Sequence, residues 1–138
     1  MFRNIAFIDC ESNILESLKW LFKEEPYHLY TFRNTFDAIK MVKEEEFALV
    51  VADQHIPEIG GIDFLQKVKE LQPNTVCMIM TALPDIDTAA DAVGRRNIYR
   101  IIFKPWDNDE LKILVKDAIS YYDKNTHTGK APKNPNGP

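Results

Sequence analysis

Cysteine is nearly missing from this chain: Cys10 and Cys77 are the only two in 138 residues. Two thiols make no disulfide framework and no Cys-x-x-Cys pair, so they read as reduced thiols of a cytoplasmic protein. Long apolar runs are absent too, and no window reaches the length needed to cross a bilayer. The start, Met1-Phe2-Arg3-Asn4-Ile5, goes straight into a strand-like run and lacks a secretory pattern. Basic residues form no stripe; with 17 Lys and Arg against 21 Asp and Glu the formal net charge is -4. The long-range field therefore gives no reason to expect nucleic acid as a partner of this domain. The three histidines, His28, His55 and His127, have no zinc spacing. No Gly-x-Gly-x-x-Gly follows the first apolar run, which argues against a dinucleotide site. No internal repeat is visible.

What is present is a regular alternation. Five short apolar runs alternate with five helical patterns. Ile5-Ala6-Phe7-Ile8 is followed by Ile14, Leu15, Leu18, Leu21 and Phe22 at helix spacing. Leu29-Tyr30-Thr31-Phe32 is a weaker strand, followed by Phe36, Ile39 and Val42. Phe47 to Val51 precedes a helix carrying Ile62, Leu65, Val68 and Leu71, and Val76 to Met80 precedes Ile86, Ala89, Ala90 and Val93. Ile98 to Phe103 precedes the last helix, with Leu111, Leu114, Val115, Ala118, Ile119 and Tyr122. Continuous apolar strands joined through helices call for a parallel sheet covered on both faces, with right-handed crossovers. Ser12 is positioned to cap the first helix, Asp107 lies three residues before Glu110 in a capping-box-like arrangement, and Gly60-Gly61 provides a bend before the third helix. From Lys124 to Pro138 the periodicity stops and Pro132, Pro135 and Pro138 intervene. The expected organisation is thus one domain over residues 1–123 and a disordered tail or linker over 124–138.

In such a sheet, ligands sit outside the carboxyl ends of the strands. Asp9, Asp53, Thr81 and Lys104 each fall at such an end. A carboxylate such as Asp53 can attack phosphorus and form an acyl phosphate, provided cationic groups offset the repulsion between the oxygens. Its plainer reading is a strand-ending residue that caps the next loop. Asp9 and Glu11 are candidate ligands for a hard cation such as Mg²⁺, joined by the backbone carbonyl of His55; Glu11 equally suits a helix N-terminal turn. Cys10 is a poor magnesium ligand and is better explained by packing. Lys104 offers a point charge, with Pro105 positioned for a cis bond, and Thr81 offers a hydroxyl. Tyr99 and Trp106 read as packing residues or as part of a partner surface.

Taken together, Asp9-Cys10-Glu11, the segment Asp53-Gln54-His55-Ile56-Pro57 followed by Gly60-Gly61, then Thr81-Ala82 and Lys104-Pro105 resemble the receiver domain of two-component response regulators. The likeness runs from about Asn4 to Tyr122. It implies an α/β, flavodoxin-like fold: a five-stranded parallel sheet in order 2-1-3-4-5 with helices on both faces. It implies that Asp53 accepts phosphate from a phosphohistidine on a sensor histidine kinase, with Thr81 and Lys104 contacting the phosphoryl group and Lys104-Pro105 cis. Mg²⁺ would be held by Asp9, Asp53 and the His55 carbonyl, with Glu11 as a further acid. The module would be a phosphoacceptor and not a turnover enzyme. It would signal to an output domain or partner protein, or to a second copy of itself, through the fourth helix, fifth strand and fifth helix. Asn97-Ile98-Tyr99-Arg100 and Lys104-Pro105-Trp106 also look like a subgroup attached to signalling-enzyme outputs.

Two positions depart from the family pattern. Cys10 stands where a magnesium-binding carboxylate is usual, and Ile101 where an aromatic switch residue commonly stands. Tyr99, two residues before Ile101, is expected by strand periodicity to face the same side. Two other readings compete: a degenerate receiver that binds partners without phosphorylation, and a small haloacid-dehalogenase-like phosphatase built on Ile8-Asp9-Cys10-Glu11 and Lys104. The Cys10 departure predicts weak or absent Mg²⁺-dependent phosphorylation, with Cys10→Asp raising metal affinity. Incubation with a small phosphodonor and Mg²⁺ followed by intact mass tests this; rapid stoichiometric addition of one phosphoryl group to the wild-type chain would contradict it.

Overall fold

The computed structural model describes residues 2–95 and 97–130. Along the chain, strand alternates with helix: β1 (Arg3–Ile8), α1 (Ser12–Leu21), β2 (Tyr27–Phe32), α2 (Thr35–Glu44), β3 (Leu49–Asp53), α3 (Gly61–Leu71), β4 (Val76–Thr81), α4 (Ile86–Arg95), β5 (Arg100–Phe103) and α5 (Asn108–Lys130), with a 3₁₀ turn at Leu83–Asp85 before α4. The five strands form one sheet in order β2-β1-β3-β4-β5, and every neighbouring pair is parallel. This is the flavodoxin-like arrangement expected from the sequence.

Period-2 alternation along the strands divides the core in two. Ile5 and Phe7 of β1 join Leu49 and Val51 of β3 and Met78 and Met80 of β4 on the face covered by α1 and α5, where Leu15, Leu18, Leu111 and Val115 pack. Ala6 and Ile8, Val50 and Ala52, and Cys77 and Ile79 point the other way, toward Val42 of α2, Leu65 and Val68 of α3 and Ala89 of α4. Because both faces are covered, β3 and β4 are buried along their full length, which explains their unbroken apolar sequence. Strand β2 lies at the edge and is only half-buried, in keeping with its weaker pattern. Cys77 is core: burial pushes its thiol up to about 12, so it stays protonated.

Three local expectations are corrected. Ser12 does not cap α1; Glu11 occupies the N-cap position with no side-chain cap, and its carbonyl accepts from the amides of Ile14 and Leu15. The chain is already shaped one residue earlier, because Asp9 Oδ1 accepts from the Glu11 amide at 2.9 Å. Tyr99 does not share a side with Ile101. Ile101 packs against the α2–α4 core, whereas Tyr99 packs on the α5 side, its ring 4.8 Å from that of Tyr121. The reason is that Tyr99 precedes β5, which begins at Arg100, so strand alternation does not extend to it. Finally, α5 continues to Lys130. Residues 124–130, read from sequence as tail, are therefore helical, and the rest of the expected tail lies outside the described residues. A side chain–side chain bond from Arg3 Nε to Asp123 Oδ1, 2.7 Å, ties this long helix to the start of β1. The Asp107 cap is as expected, its Oδ1 accepting from the Glu110 amide at 3.0 Å.

The entry to α3 is the tightest point of the fold near the sheet's carboxyl edge. Gly60 has φ 76°, in the left-handed region that favours glycine. Gly61 donates its amide to the Gln54 carbonyl at 3.0 Å, and a Cβ on it would overlap the Asp53 carbonyl oxygen. A methyl group there must push β3 and α3 apart. Gly61→Ala is expected to destabilise the domain by about 1–3 kcal/mol, read as a lower urea midpoint at unchanged slope.

Candidate functional site

The carboxyl edge of the sheet gathers residues that are far apart in sequence. Asp9 follows β1 directly, Asp53 ends β3, Thr81 ends β4 and Lys104 follows β5. Strands β1 and β3 are neighbours at the point where strand order reverses, the place where open α/β sheets form a crevice. Backbone hydrogen bonds set the loops: the Asp9 amide donates to the Phe32 carbonyl, the Gln54 amide to Met80 and the Lys104 amide to Thr81. The Lys104-Pro105 peptide bond is cis, as expected from the sequence.

At the centre is one ammonium between two carboxylates. Lys104 Nζ lies 2.7 Å from Asp9 Oδ2 and 2.8 Å from Asp53 Oδ1. Asp9 is 1% exposed and Asp53 9% exposed. The remaining oxygens are also engaged: Asp9 Oδ1 accepts from the Glu11 amide, and Asp53 Oδ2 from the His55 amide at 3.2 Å. Two buried like charges would repel strongly without the lysine. Burial by itself lowers the Lys104 pKa, but the hydrogen bonds to Asp53 and Asp9 and the negative charges of both acids together outweigh it and leave the ammonium held above its ordinary value.

Other expected residues lie at varying distance from this centre. Thr81 is buried beside it, but its hydroxyl donates to Gln54 Oε1 at 2.5 Å. The His55 ring turns outward, with Nε2 2.9 Å from Asp85 Oδ2, so it bridges the β3–α3 and β4–α4 loops. Glu11 is exposed at the head of α1. Among the described residues no third acid, thiol or imidazole completes a metal-holding group with the two aspartates. Cys10 is a free, half-buried thiol whose carbonyl accepts from Arg33 Nε and Nη2 at 3.4 and 3.2 Å. Sequence reading missed three participants: Gln54, Arg33 and Asp85. Gln54 had a signal in its place next to Asp53; the other two are brought in only by loop packing. Beside Lys104 an apolar groove of about 760 Å³ runs along α1, lined by Ile14, Trp20, Leu21, Pro105 and Trp106.

The structure thus places a carboxylate, a neutralising ammonium and, on the adjoining strand, a hydroxyl together at the switch point of a parallel sheet. The family model for the response regulator receiver domain matches residues 5–116. The chain belongs to that family, whose members are signalling modules of phosphorelay signal transduction, and this is the role of the domain described here. It is 31% identical over 118 residues to the hydrogenase transcriptional regulatory protein HoxA of Bradyrhizobium diazoefficiens, covering 86% of this chain and 24% of that protein. The chain thus spans about a quarter of the length of the curated relatives it matches. Among solved structures, the signal receiver domain of an HD domain-containing protein from Pseudomonas fluorescens Pf-5 superposes with TM-score 0.86 at 28% identity, covering 92% of this chain and 94% of that one. The beryllofluoride-activated NtrC4 receiver domain dimer gives 0.80 at 29%, covering 86% and 98%. Receiver domains generally bind Mg²⁺ at the phosphorylation site. No helix among the described residues is long and apolar enough to cross a membrane.

The lysine bridge has a definite pH signature. Because the folded-state pKa of Lys104 is raised, its stabilising contribution is complete below the ordinary value of 10.5 and is lost as pH rises through the folded value. The stability gap between wild type and Lys104→Met, measured by urea midpoint, should be constant from about pH 7 to about pH 9 and then shrink above about pH 10.5. Taking the difference removes the alkaline titration of the tyrosines, which both proteins share. A gap that persists undiminished in strong alkali contradicts the bridge.

Proposed function

We propose that Asp53 is the phosphoacceptor, taking a phosphoryl group from a phosphohistidine on a sensor kinase. The observation that carries this is the Asp9–Lys104–Asp53 bridge at the carboxyl edge. Asp53 is the more exposed of the two acids, so it presents the nucleophile, and Asp9 behind it fixes the lysine. As the phosphorus–oxygen bond forms, the phosphorus–nitrogen bond to the donor histidine breaks and its imidazole leaves; the attacking Asp53 oxygen loses its charge to the acyl phosphate and negative charge stays on the phosphoryl oxygens. Lys104 is already within reach to follow that charge, so little reorganisation is needed. Thr81, on the next strand, supplies a hydroxyl to the same group.

Two hard carboxylates on one ammonium also suit a divalent cation. Asp9, Asp53 and the His55 carbonyl are the residues that would hold Mg²⁺, with water completing the shell where Cys10 replaces a carboxylate. When bound, the ion supplies charge neutralisation between the nucleophile and the incoming phosphoryl oxygens. The thiol at position 10 sets this chain toward weak metal binding, as its softness requires.

The groove beside Lys104 is the approach for the donor protein. Trp20 is 72% exposed at its wall, and a large rigid aromatic is a good anchor for a partner helix. The output signal is read on another face, where Phe103, Ile113 and Tyr121 are exposed. Ile113, Asp117 and Tyr121 follow at i, i+4 and i+8 on α5, and the Arg100–Asp117 ion pair joins them to β5. An output domain, a partner protein or a second copy of the chain would read this face.

One experiment separates acceptor chemistry from donor docking. Wild type is incubated with Mg²⁺ and either a small phosphodonor or a phosphohistidine-bearing protein, and intact mass is followed. Asp53→Asn should abolish labelling by both. Trp20→Ala should slow the protein donor roughly tenfold and leave the small donor unaffected. Labelling of Asp53→Asn at the wild-type rate would refute the assignment.

A further inference from the structure

Thr81 is committed elsewhere before any phosphoryl group arrives. Its hydroxyl has one proton to give, and it faces Gln54 Oε1 at 2.5 Å, with the Ala82 carbonyl a more distant acceptor at 3.2 Å. Thr81 is 1% exposed and Gln54 8% exposed, so water does not compete freely for this bond. The Gln54 backbone is pinned on both sides, which fixes where its side chain starts: the amide donates to the Met80 carbonyl at 2.8 Å and the carbonyl accepts from the Gly61 amide at 3.0 Å. The next residue repeats the tie. His55 Nε2 reaches Asp85 Oδ2 at 2.9 Å, so two consecutive residues after Asp53 hold the two ends of the β4–α4 connection, Thr81 before it and Asp85 just ahead of α4.

We propose that Gln54 is a positioning residue that latches the Thr81 hydroxyl and competes with the phosphoryl group on Asp53 for its proton. The inference rests on the reading of Asp53 as the phosphoacceptor and of Thr81 as a phosphoryl contact. An anionic phosphoryl oxygen is a stronger acceptor than a neutral amide, since hydrogen bonds to ionised groups are about twice as strong. The exchange therefore runs toward the phosphoryl group, but it must break a short buried bond and leave Gln54 Oε1 without its donor. The latch thus sets a threshold for activation at Thr81. This matters in a chain that has Ile101 in place of an aromatic ring, because the resting state of the threonine is held by the hydrogen bond it donates to the loop of the acceptor itself.

The test uses the full chain with beryllium fluoride and Mg²⁺ as the phosphoryl mimic, titrated by tryptophan fluorescence, on wild type, Gln54→Met, Thr81→Val and the double variant. Removing the latch should tighten mimic binding roughly five- to thirty-fold, the range expected for one buried hydrogen bond. Thr81→Val should weaken binding, and the double variant should match Thr81→Val, because the glutamine acts only through that hydroxyl. Gln54→Leu provides the same comparison if Gln54→Met fails to fold by circular dichroism. Binding by wild type with no gain in either Gln54 variant, or an equal gain in the Thr81→Val background, overturns the latch and leaves the acceptor reading intact. A wild-type chain that neither binds the mimic nor takes a phosphoryl group on Asp53 overturns both.

Discussion

One ammonium held between two buried carboxylates is the interaction on which this structure turns. Lys104 Nζ contacts Asp9 and Asp53 at 2.7 and 2.8 Å, and each of these residues comes from the end of a different strand. Without the cation, two acids could not be placed side by side in a poorly solvated crevice. With it, the crevice is held ready for an anion that carries more negative charge than the carboxylate it joins. The sheet supplies the rest: parallel strands put every carboxyl terminus on one edge, and the reversal of strand order between β1 and β3 opens space above them.

The chain departs from its family where charge and switching are set. A thiol at position 10 is a soft group where a hard oxygen ligand is usual, so on the proposed reading Mg²⁺ would rely on Asp9, Asp53 and the His55 carbonyl. Ile101 packs into the α2–α4 core as an ordinary aliphatic side chain, while Tyr99 turns toward α5 and donates its phenol to Asp117 at 2.7 Å. That hydrogen bond raises the Tyr99 pKa, so the ring stays neutral and anchored. Its attachment to α5 places it in the exposed face with Tyr121. Position 101 therefore offers no aromatic ring between the carboxyl edge of the sheet and that face. The short bond between Thr81 and Gln54 and the His55–Asp85 contact together tie the β4–α4 segment to the loop after Asp53.

Much of this was legible in the chain itself. Alternating apolar runs and helical stripes specify strands buried on both faces, and hence a parallel sheet with helices on either side. Four polar residues, Asp9, Asp53, Thr81 and Lys104, each sit at the end of a run, so their convergence follows from topology. The cysteine at position 10 and the isoleucine at 101 are visible as substitutions against a known pattern. Other elements were not legible. Ser12 looked like a cap, but the Asp9 carboxylate already holds the Glu11 amide and shifts the N-cap there. Residues 124–130 lack apolar periodicity, yet α5 carries on through them, because a helix already nucleated and packed extends at little further cost.

The sequence by itself determined which elements form and which residue types stand at the sheet's carboxyl edge, since burial periodicity and strand order act through local pattern and simple connection rules. Only the tertiary structure decided what those residues do to one another. Whether Lys104 meets one acid or two, whether Glu11 points inward, and whether the Thr81 hydroxyl is free or given to Gln54 depend on distances across loops that share no sequence neighbourhood. Hydrogen bonds and ion pairs are short-ranged and directional, so a displacement of an ångström changes the partner, and no spacing along the chain encodes displacements that small.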